Sequence, residues 1–132
     1  MKILLATDGS ESSAAAIRMV ATQIRPDADV LVLEVVEAPG PEFGATPKEH
    51  FDRARQSVER AAKTLTDGGL RVTSRVLEGD PRDAILDTAA EWAANFIVLG
   101  SHGRKGLRRF LLGSVAESVV RNAHCSVLVV RP

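Results

Sequence analysis

Three glycines and a serine are spaced for phosphate binding in the segment from Phe96 to Val120. Gly100, Gly103 and Gly113 punctuate this segment, and Ser114 follows the last glycine directly. Because glycine has no Cβ, its backbone can take conformations in which successive N–H groups form a concave nest for an anion. We therefore predict that this segment holds phosphate oxygens, with the Ser114 hydroxyl as an additional ligand.

Basic side chains and a helix terminus reinforce this prediction. A helix is predicted from about Gly113 to Ala123, and its first N–H groups and positive dipole end would face the same anion. Four basic residues lie between Gly103 and Gly113, with no carboxylate among them: Arg104, Lys105, Arg108 and Arg109. Their charge suits a polyphosphate. The alternative is a flexible surface turn whose glycines and cations bind nothing.

Five apolar runs predict the strands that carry this segment. The first four runs are each followed by a turn and a helical pattern, and the fourth run ends at the glycine that opens the phosphate segment. The third run is the most polar, which places it nearer an edge of the sheet. The predicted strands are Ile3–Thr7, Val30–Val36, Arg71–Leu77, Phe96–Leu99 and Ser126–Val130.

Capping residues mark the starts of the helices between these strands. Ser10 is the predicted N-cap of the first helix, Thr46 opens a capping box ahead of the second, and Asp80 precedes Pro81 at the third. The loop from Ala38 to Thr46 has the composition of a lid. The last two helices are predicted to bury Ile85, Leu86, Ala89, Trp92 and Ala93, and Ala116, Val119, Val120 and Ala123.

Strict alternation of strand and helix predicts one α/β domain over residues 1–132. Its five-stranded parallel sheet would be doubly wound and Rossmann-like, with strand order 3-2-1-4-5 and helices on both faces. In this order the loops after strands 1 and 4 face one pocket, so Asp8 would lie across from the glycine segment. A carboxylate accepts hydroxyl hydrogen bonds and repels phosphates, so Asp8 is predicted at the sugar of a nucleotide. Its alternative role is to cap the first helix.

Composition limits the partners, the cellular location and the metal sites that can be expected. Seventeen basic and seventeen acidic residues cancel, which gives no support for a nucleic-acid or membrane partner. The single cysteine, Cys125, cannot form an internal disulfide, and no apolar run approaches the roughly 20 residues of a membrane span. We expect a cytoplasmic protein. His50 and His124 have no predicted partners for a metal site, so any metal ion would arrive with the nucleotide.

With these residues in view, the whole chain resembles the universal stress protein family, in its single-domain, ATP-binding branch. The resemblance implies the adenine nucleotide alpha hydrolase-like fold. One departure is Ala6, where some members carry proline beside the adenine, and this makes the contact surface smaller. The matching motifs are Leu5–Ser10, Glu78–Pro81, Gly100–Val115 and Cys125–Arg131.

The resemblance assigns roles to individual residues. Asp8 would contact ribose, and the backbone of Val35, after the second strand, would bind the adenine edge. Gly100 and Gly103 would approach ribose and phosphate, while His102 and Arg104 are candidates to donate to a phosphate. The full predicted site is Ala6, Thr7, Asp8, Val35, Leu99, Gly100, His102, Gly103, Arg104, Gly113, Ser114 and Val115, with the last three at the outer phosphates.

The resemblance also implies ligand and assembly. The expected ligand is ATP, or else ADP or AMP, with Mg²⁺ or Mn²⁺ carried by the nucleotide. A homodimer is expected through the edge strand Val127–Val130, because an apolar edge needs cover. No Gly-Lys-Ser/Thr triplet and no suitably placed acidic pair occurs, so at most slow hydrolysis is predicted. The expected role is therefore a stress-response regulator that senses the nucleotide, and the alternatives are a slow ATP hydrolase and an interaction module that binds no nucleotide.

Overall fold

Helices and strands alternate along the chain as the apolar runs predict. The computed structural model describes residues 1–37, 44, 46–103 and 111–132. The strands are β1 (Lys2–Ala6), β2 (Asp29–Val36), β3 (Arg71–Glu78), β4 (Phe96–Gly100) and β5 (Ser126–Val130). The helices are α1 (Glu11–Gln23), α2 (Pro47–Asp67), α3 (Pro81–Glu91) and α4 (Ser114–Asn122).

The five strands form one parallel sheet in the order β3-β2-β1-β4-β5, which confirms the predicted topology. The most polar strand, β3, lies at one edge, and the apolar β5 lies at the other. No helix in the described part of the chain is both long enough and apolar enough to cross a bilayer.

Two apolar layers hold the helices on opposite faces of the sheet. Alternate residues of β1 point to opposite sides, so Ile3 and Leu5 pack with α1 and α2, whereas Leu4 and Ala6 pack with α3 and α4. Each layer is built from strand side chains that are almost completely buried. The central strand therefore contributes to both layers, and its carboxyl end is held from both sides.

The predicted capping residues act as caps. The side chain of Ser10 accepts from the Ser13 N–H at the start of α1, and Thr46 and Glu49 form both bonds of a capping box ahead of α2. At α3 the Asp80 carboxylate accepts from the Arg82 N–H and also pairs with the Arg82 guanidinium at 2.8 Å. Hydrogen bonding to Arg82 lowers the pKa of Asp80 to about 2.

Ala93 was predicted to face the core, and this is wrong. The residue is exposed and takes a left-handed backbone, with φ of 57°. The N–H groups of Ala93 and Ala94 bond back to the carbonyls of Ala90 and Ala89, which is a Schellman ending for α3. This turn sends Ala94 into the core instead, where it is 4% exposed.

Val120 was also predicted to be buried, whereas 48% of it is exposed. Ala116 and Val119, three residues apart, form the buried face of α4. Val120 is a further 100° around the helix from Val119, and on this short helix that places it at the rim of the contact with the sheet. Spacing alone did not separate the centre of the buried face from its rim.

Candidate functional site

A crevice opens where β1 and β4 diverge at their carboxyl ends. Pairing between these strands stops at Leu5 and Val98. Each strand continues on its other side, since β1 pairs with β2 up to Ala6, and β4 pairs with β5 up to Gly100. Chains that leave a parallel sheet in opposite directions at this point form the usual ligand crevice of the fold.

Gly100 lets β4 approach the start of α1. A Cβ on this residue would lie only 2.6 Å from both the carbonyl carbon and the Cβ of Ser12, and 2.7 Å from the Ser13 nitrogen. No side chain fits there without moving backbone. The glycine predicted for phosphate contact is thus required first for packing, and it brings the loops after β1 and β4 together.

Asp8 and Gly103 meet across the crevice, as the topology predicts. A Cβ on Gly103 would lie 2.9 Å from Asp8 Oδ2. The other carboxylate oxygen, Oδ1, accepts from the Ser10 N–H at 2.9 Å. Both interpretations of Asp8 therefore fit the geometry, because one oxygen fixes the turn before α1 while the other lines the crevice.

Gly113 brings the start of α4 to the same place. Its N–H donates to the Ser101 carbonyl at 2.7 Å. A Cβ there would lie 3.1 Å from that carbonyl oxygen and 3.2 Å from the Cα of His102. Gly113 is the N-cap of α4, and no side chain caps this helix. Ser114 and Val115 follow as its first residues, so the first N–H groups of α4 lie beside the loop after β4.

Buried hydroxyls join the loop after β4 to α1, and sequence reasoning missed them. Ser12 Oγ and Ser101 Oγ lie 3.5 Å apart, and Ser101 Oγ lies 3.0 Å from His102 Nδ1. Both serines are buried. The other ring nitrogen, His102 Nε2, is buried without a hydrogen-bond partner among the described residues. A polar ligand would satisfy it, which suits the predicted role of His102 toward phosphate.

A second set of hydroxyls ties the two loops together on the side of α1. Thr7 Oγ1 donates to Ser13 Oγ at 3.1 Å, and Ser10 Oγ reaches the His102 carbonyl at 3.3 Å. The signal for this network was the run of serines directly after Asp8-Gly9, at positions where a helix facing the core normally carries apolar residues. Small hydroxyl residues there permit the close approach of Gly100.

Four apolar members of the predicted site share one side of the sheet. Ala6 and Leu99 belong to the buried layer under α3 and α4, and Val35 and Val115 pack against it while partly exposed. Ala6, Val35 and Leu99 lie at or next to the ends of their strands, and Val115 lies in the first turn of α4, so all four border the crevice. Together they offer the apolar surface that a planar base requires.

Val35 lies inside β2 as its penultimate residue, within the predicted strand Val30–Val36 and not after it. The Leu33 carbonyl accepts from the Thr7 N–H, which shows that this residue's backbone faces β1. Backbone groups of alternate residues face the same neighbour, so the N–H and C=O of Val35 also point toward β1. They lie past its last residue, Ala6, and therefore face the crevice.

Part of the predicted site lies outside the described residues. This applies to Arg104 and the other three cations, and to most of the loop from Ala38 to Thr46. Within the described ranges, no group of three or more His, Cys, Asp or Glu side chains could hold a metal ion. Cys125 is half-buried, and burial raises the pKa of its thiol, which favours a packing role.

Comparison with known proteins adds to this geometry. A sequence model of the universal stress protein family matches residues 1–131. Universal stress protein MJ0531 of Methanocaldococcus jannaschii is 34% identical over 139 aligned residues, which cover 98% of this chain and 81% of that protein.

Two solved structures resemble the whole chain. The structure of MJ0577, also from M. jannaschii, aligns with a TM-score of 0.83 at 30% identity and covers 99% of this chain and 95% of its own. A universal stress protein from Archaeoglobus fulgidus, solved in complex with dAMP, aligns with a TM-score of 0.71 at 29% identity. That alignment covers 98% of this chain and 97% of the Archaeoglobus chain.

Proposed function

Because the chain belongs to the universal stress protein family, we propose that it binds adenine nucleotides in the crevice between the ends of β1 and β4. The observation that carries the proposal is a chain of close approaches: Gly103 lies against the Asp8 carboxylate, and Gly113, at the start of α4, lies against Ser101, His102 and Gly103. The Archaeoglobus relative supports adenine as the base, since it was solved with dAMP.

The chemistry of the crevice suggests how the nucleotide would lie. The base would rest on the apolar group of Ala6, Val35 and Leu99, with the outward backbone groups of Val35 at its edge. The ribose would meet Asp8, whose carboxylate accepts hydroxyl hydrogen bonds. The phosphates would then extend toward Gly113 and the first N–H groups of α4, where the helix dipole favours negative charge.

ATP is the proposed physiological ligand, and Mg²⁺ or Mn²⁺ would bind through its phosphates. A triphosphate suits the four cations of the segment between Gly103 and Gly113, and the start of α4 holds Ser114 and Val115 for the outer phosphates. ADP and AMP would bind less tightly, because they reach fewer of these groups.

Isothermal titration tests the nucleotide proposal. We expect heat of binding with ATP and a weaker response with AMP, and little response with GTP, whose base differs at the edge that the Val35 backbone would bind. In Asp8→Asn the loss of a charged acceptor should weaken ATP binding by roughly tenfold or more. Val72→Ala, on the distant edge strand β3, is the matched control. No heat with any adenine nucleotide would refute the proposal.

Regulation is the proposed consequence of binding. We propose a cytoplasmic homodimer in which β5 of each chain pairs with its twin, and in which nucleotide occupancy alters partner binding. The Ser101 N–H bonds to the Val130 carbonyl, so the backbone of Val130 faces β4. Successive residues of a strand face opposite neighbours, so the backbone groups of Val127 and Val129 point away from β4. These outward groups would form the dimer ladder.

Slow ATP hydrolysis is a second candidate, limited by the lack of a Walker motif. The crevice would hold phosphates without a water-activating pair among the described side chains. We expect single-turnover hydrolysis far slower than the roughly one per second or more of kinases. Rapid turnover by purified protein would contradict the assignment of a binding role.

A further inference from the structure

A groove between α1 and α2 lies next to the nucleotide crevice, and of the predicted nucleotide-site residues it includes only Thr7. Its volume is about 260 Å³, and residues of both helices line it together with the turn after β1. We propose that this groove is a second binding site, for a small organic phosphate. The proposal does not depend on the nucleotide function, because the residues that recognise the phosphate lie on the helices.

Two arginines give the groove its positive charge. Arg18 of α1 and Arg60 of α2 both line it, one from each wall. Neither takes part in any of the ion pairs formed by the described residues. Two guanidinium groups that share a concave surface without carboxylates to neutralise them are suited to a doubly charged phosphoryl group, which can accept bidentate hydrogen bonds.

The remaining lining residues indicate an organic ligand. Ser57 of α2 adds a hydroxyl that can rotate to donate, whereas the Thr64 hydroxyl already donates to the Arg60 carbonyl at 3.2 Å. Ile17 and Ala61 form an apolar floor. An inorganic anion would leave that floor uncovered. The volume lies just below the roughly 300 Å³ at which pockets for drug-sized ligands begin, so the ligand would have only a few carbon atoms.

The groove shares three residues with the network that holds the crevice. Thr7, Ser10 and Ser13 line the groove, and the Ser10 hydroxyl also reaches the His102 carbonyl at 3.3 Å. A ligand that draws on the Ser10 hydroxyl would weaken its bond to the loop after β4. Occupancy of the groove should therefore change nucleotide affinity, and by linkage a nucleotide should change affinity for the phosphate to the same extent.

An NMR titration of the full chain tests the site, with glycerol 3-phosphate as the probe. We expect saturable shifts at the amides of Ser10, Ser13, Ser57 and Thr64, and roughly tenfold weaker binding in each of Arg18→Gln and Arg60→Gln. Arg53→Gln removes an exposed cation of α2 that does not line the groove, and should bind as the unaltered chain does. Inorganic phosphate should bind more weakly.

The outcomes separate this site from the nucleotide site. Shifts confined to Gly113–Val115 would mean that the probe enters the crevice, and would overturn the proposal. Unchanged affinity in both arginine variants, or equal affinity for inorganic phosphate, would also overturn it. A chain that binds glycerol 3-phosphate in the groove but binds no ATP would support this site and refute the proposed nucleotide function.

Discussion

At the scale of single residues, the space that glycines leave free decides what the crevice can hold. Gly100 and Gly103 are three residues apart, but Gly100 lies against the start of α1 and Gly103 against the turn after β1. Gly100 faces backbone atoms of Ser12, whereas Gly103 faces one oxygen of a carboxylate. Substitution should therefore affect stability at the first glycine and ligand binding at the second.

Gly103→Ala should weaken ATP binding by roughly tenfold and change the free energy of unfolding by less than about 1 kcal/mol. The new methyl would begin 2.9 Å from Asp8 Oδ2, and the carboxylate can rotate away at the cost of its position toward ribose. Titration calorimetry and urea denaturation measure the two effects.

Gly100→Ala is the contrasting variant. It should cost about 1–3 kcal/mol of stability, because the atoms 2.6 Å away belong to the Ser12 backbone and Cβ and cannot yield without moving α1. If both variants lose stability equally and bind ATP equally, the distinction between the two glycines is wrong.

At this scale, sequence reasoning picked out residues that meet at the crevice, but it did not find the residues that support them. The glycines, Asp8 and Ser114 were recognisable, because their types and spacing are tied to anion and sugar chemistry. Ser101 was not, since a single buried serine carries no periodic signal, and its role is clear only from the close packing of Gly100 against α1.

At the scale of elements, the ends of helices were harder to predict than their starts. The starts of α1, α2 and α3 carry Ser, Thr or Asp, whose side chains bond to the first N–H groups. The end of α2 carries Gly68-Gly69, which also signals a stop, but α3 ends on alanine in the left-handed region. Nothing in the residue type at Ala93 announces that turn.

Ala93→Gly should stabilise the protein by roughly 0.5–1 kcal/mol. A left-handed alanine costs about 1–2 kcal/mol, and the entropy of glycine in the unfolded chain offsets part of the gain. Ala90→Gly, at an exposed position inside α3, is the control and should destabilise by about 1 kcal/mol. Urea denaturation compares the two, and a loss of stability in both would contradict the αL geometry.

The Asp80–Arg82 pair at the start of α3 should make stability depend on acidity. Its pKa of about 2 lies below the ordinary value of 3.8, so the contribution of Asp80 is complete above pH 4 and is lost as the pH falls toward 2. In Arg82→Gln the Asp80 pKa should rise toward 3.8. Carboxyl NMR titration measures this, and an unchanged pKa would show that Arg82 is not the cause.

The edge strand β5 should govern assembly. Val129→Pro removes an N–H that points away from β4, so we expect monomers that keep the sheet, measured by light scattering. Leu128→Pro is the control, because its N–H lies on the β4 side and its loss should reduce stability as well. A dimeric Val129→Pro protein would contradict the proposed interface.

At the scale of the whole molecule, the strand order was predictable because strict alternation leaves few topologies. Apolar strands covered on both faces must be parallel, and right-handed crossovers then restrict their order. The groove between α1 and α2 was not predictable in this way. It depends on how two helices pack, and Arg18 and Arg60 are far apart in sequence with no pattern that relates them.

The central position of β1 also affects when the crevice forms during folding. β1 pairs first with β2, but its other partner, β4, is more than ninety residues away, as in the pair Ile3 and Phe96. Closing so long a loop is slow, so the crevice should be among the last parts to form during folding.

A nucleotide bound in the proposed site would therefore stabilise only the folded protein. Saturating ATP should slow unfolding and leave the refolding rate unchanged, with a gain of about 2.7 kcal/mol at a hundred times Kd. Stopped-flow refolding with and without ATP measures this, and faster refolding with ATP would show that the crevice forms early. In a newly synthesised chain, the ligand would then slow unfolding once folding is complete, without helping the chain to fold.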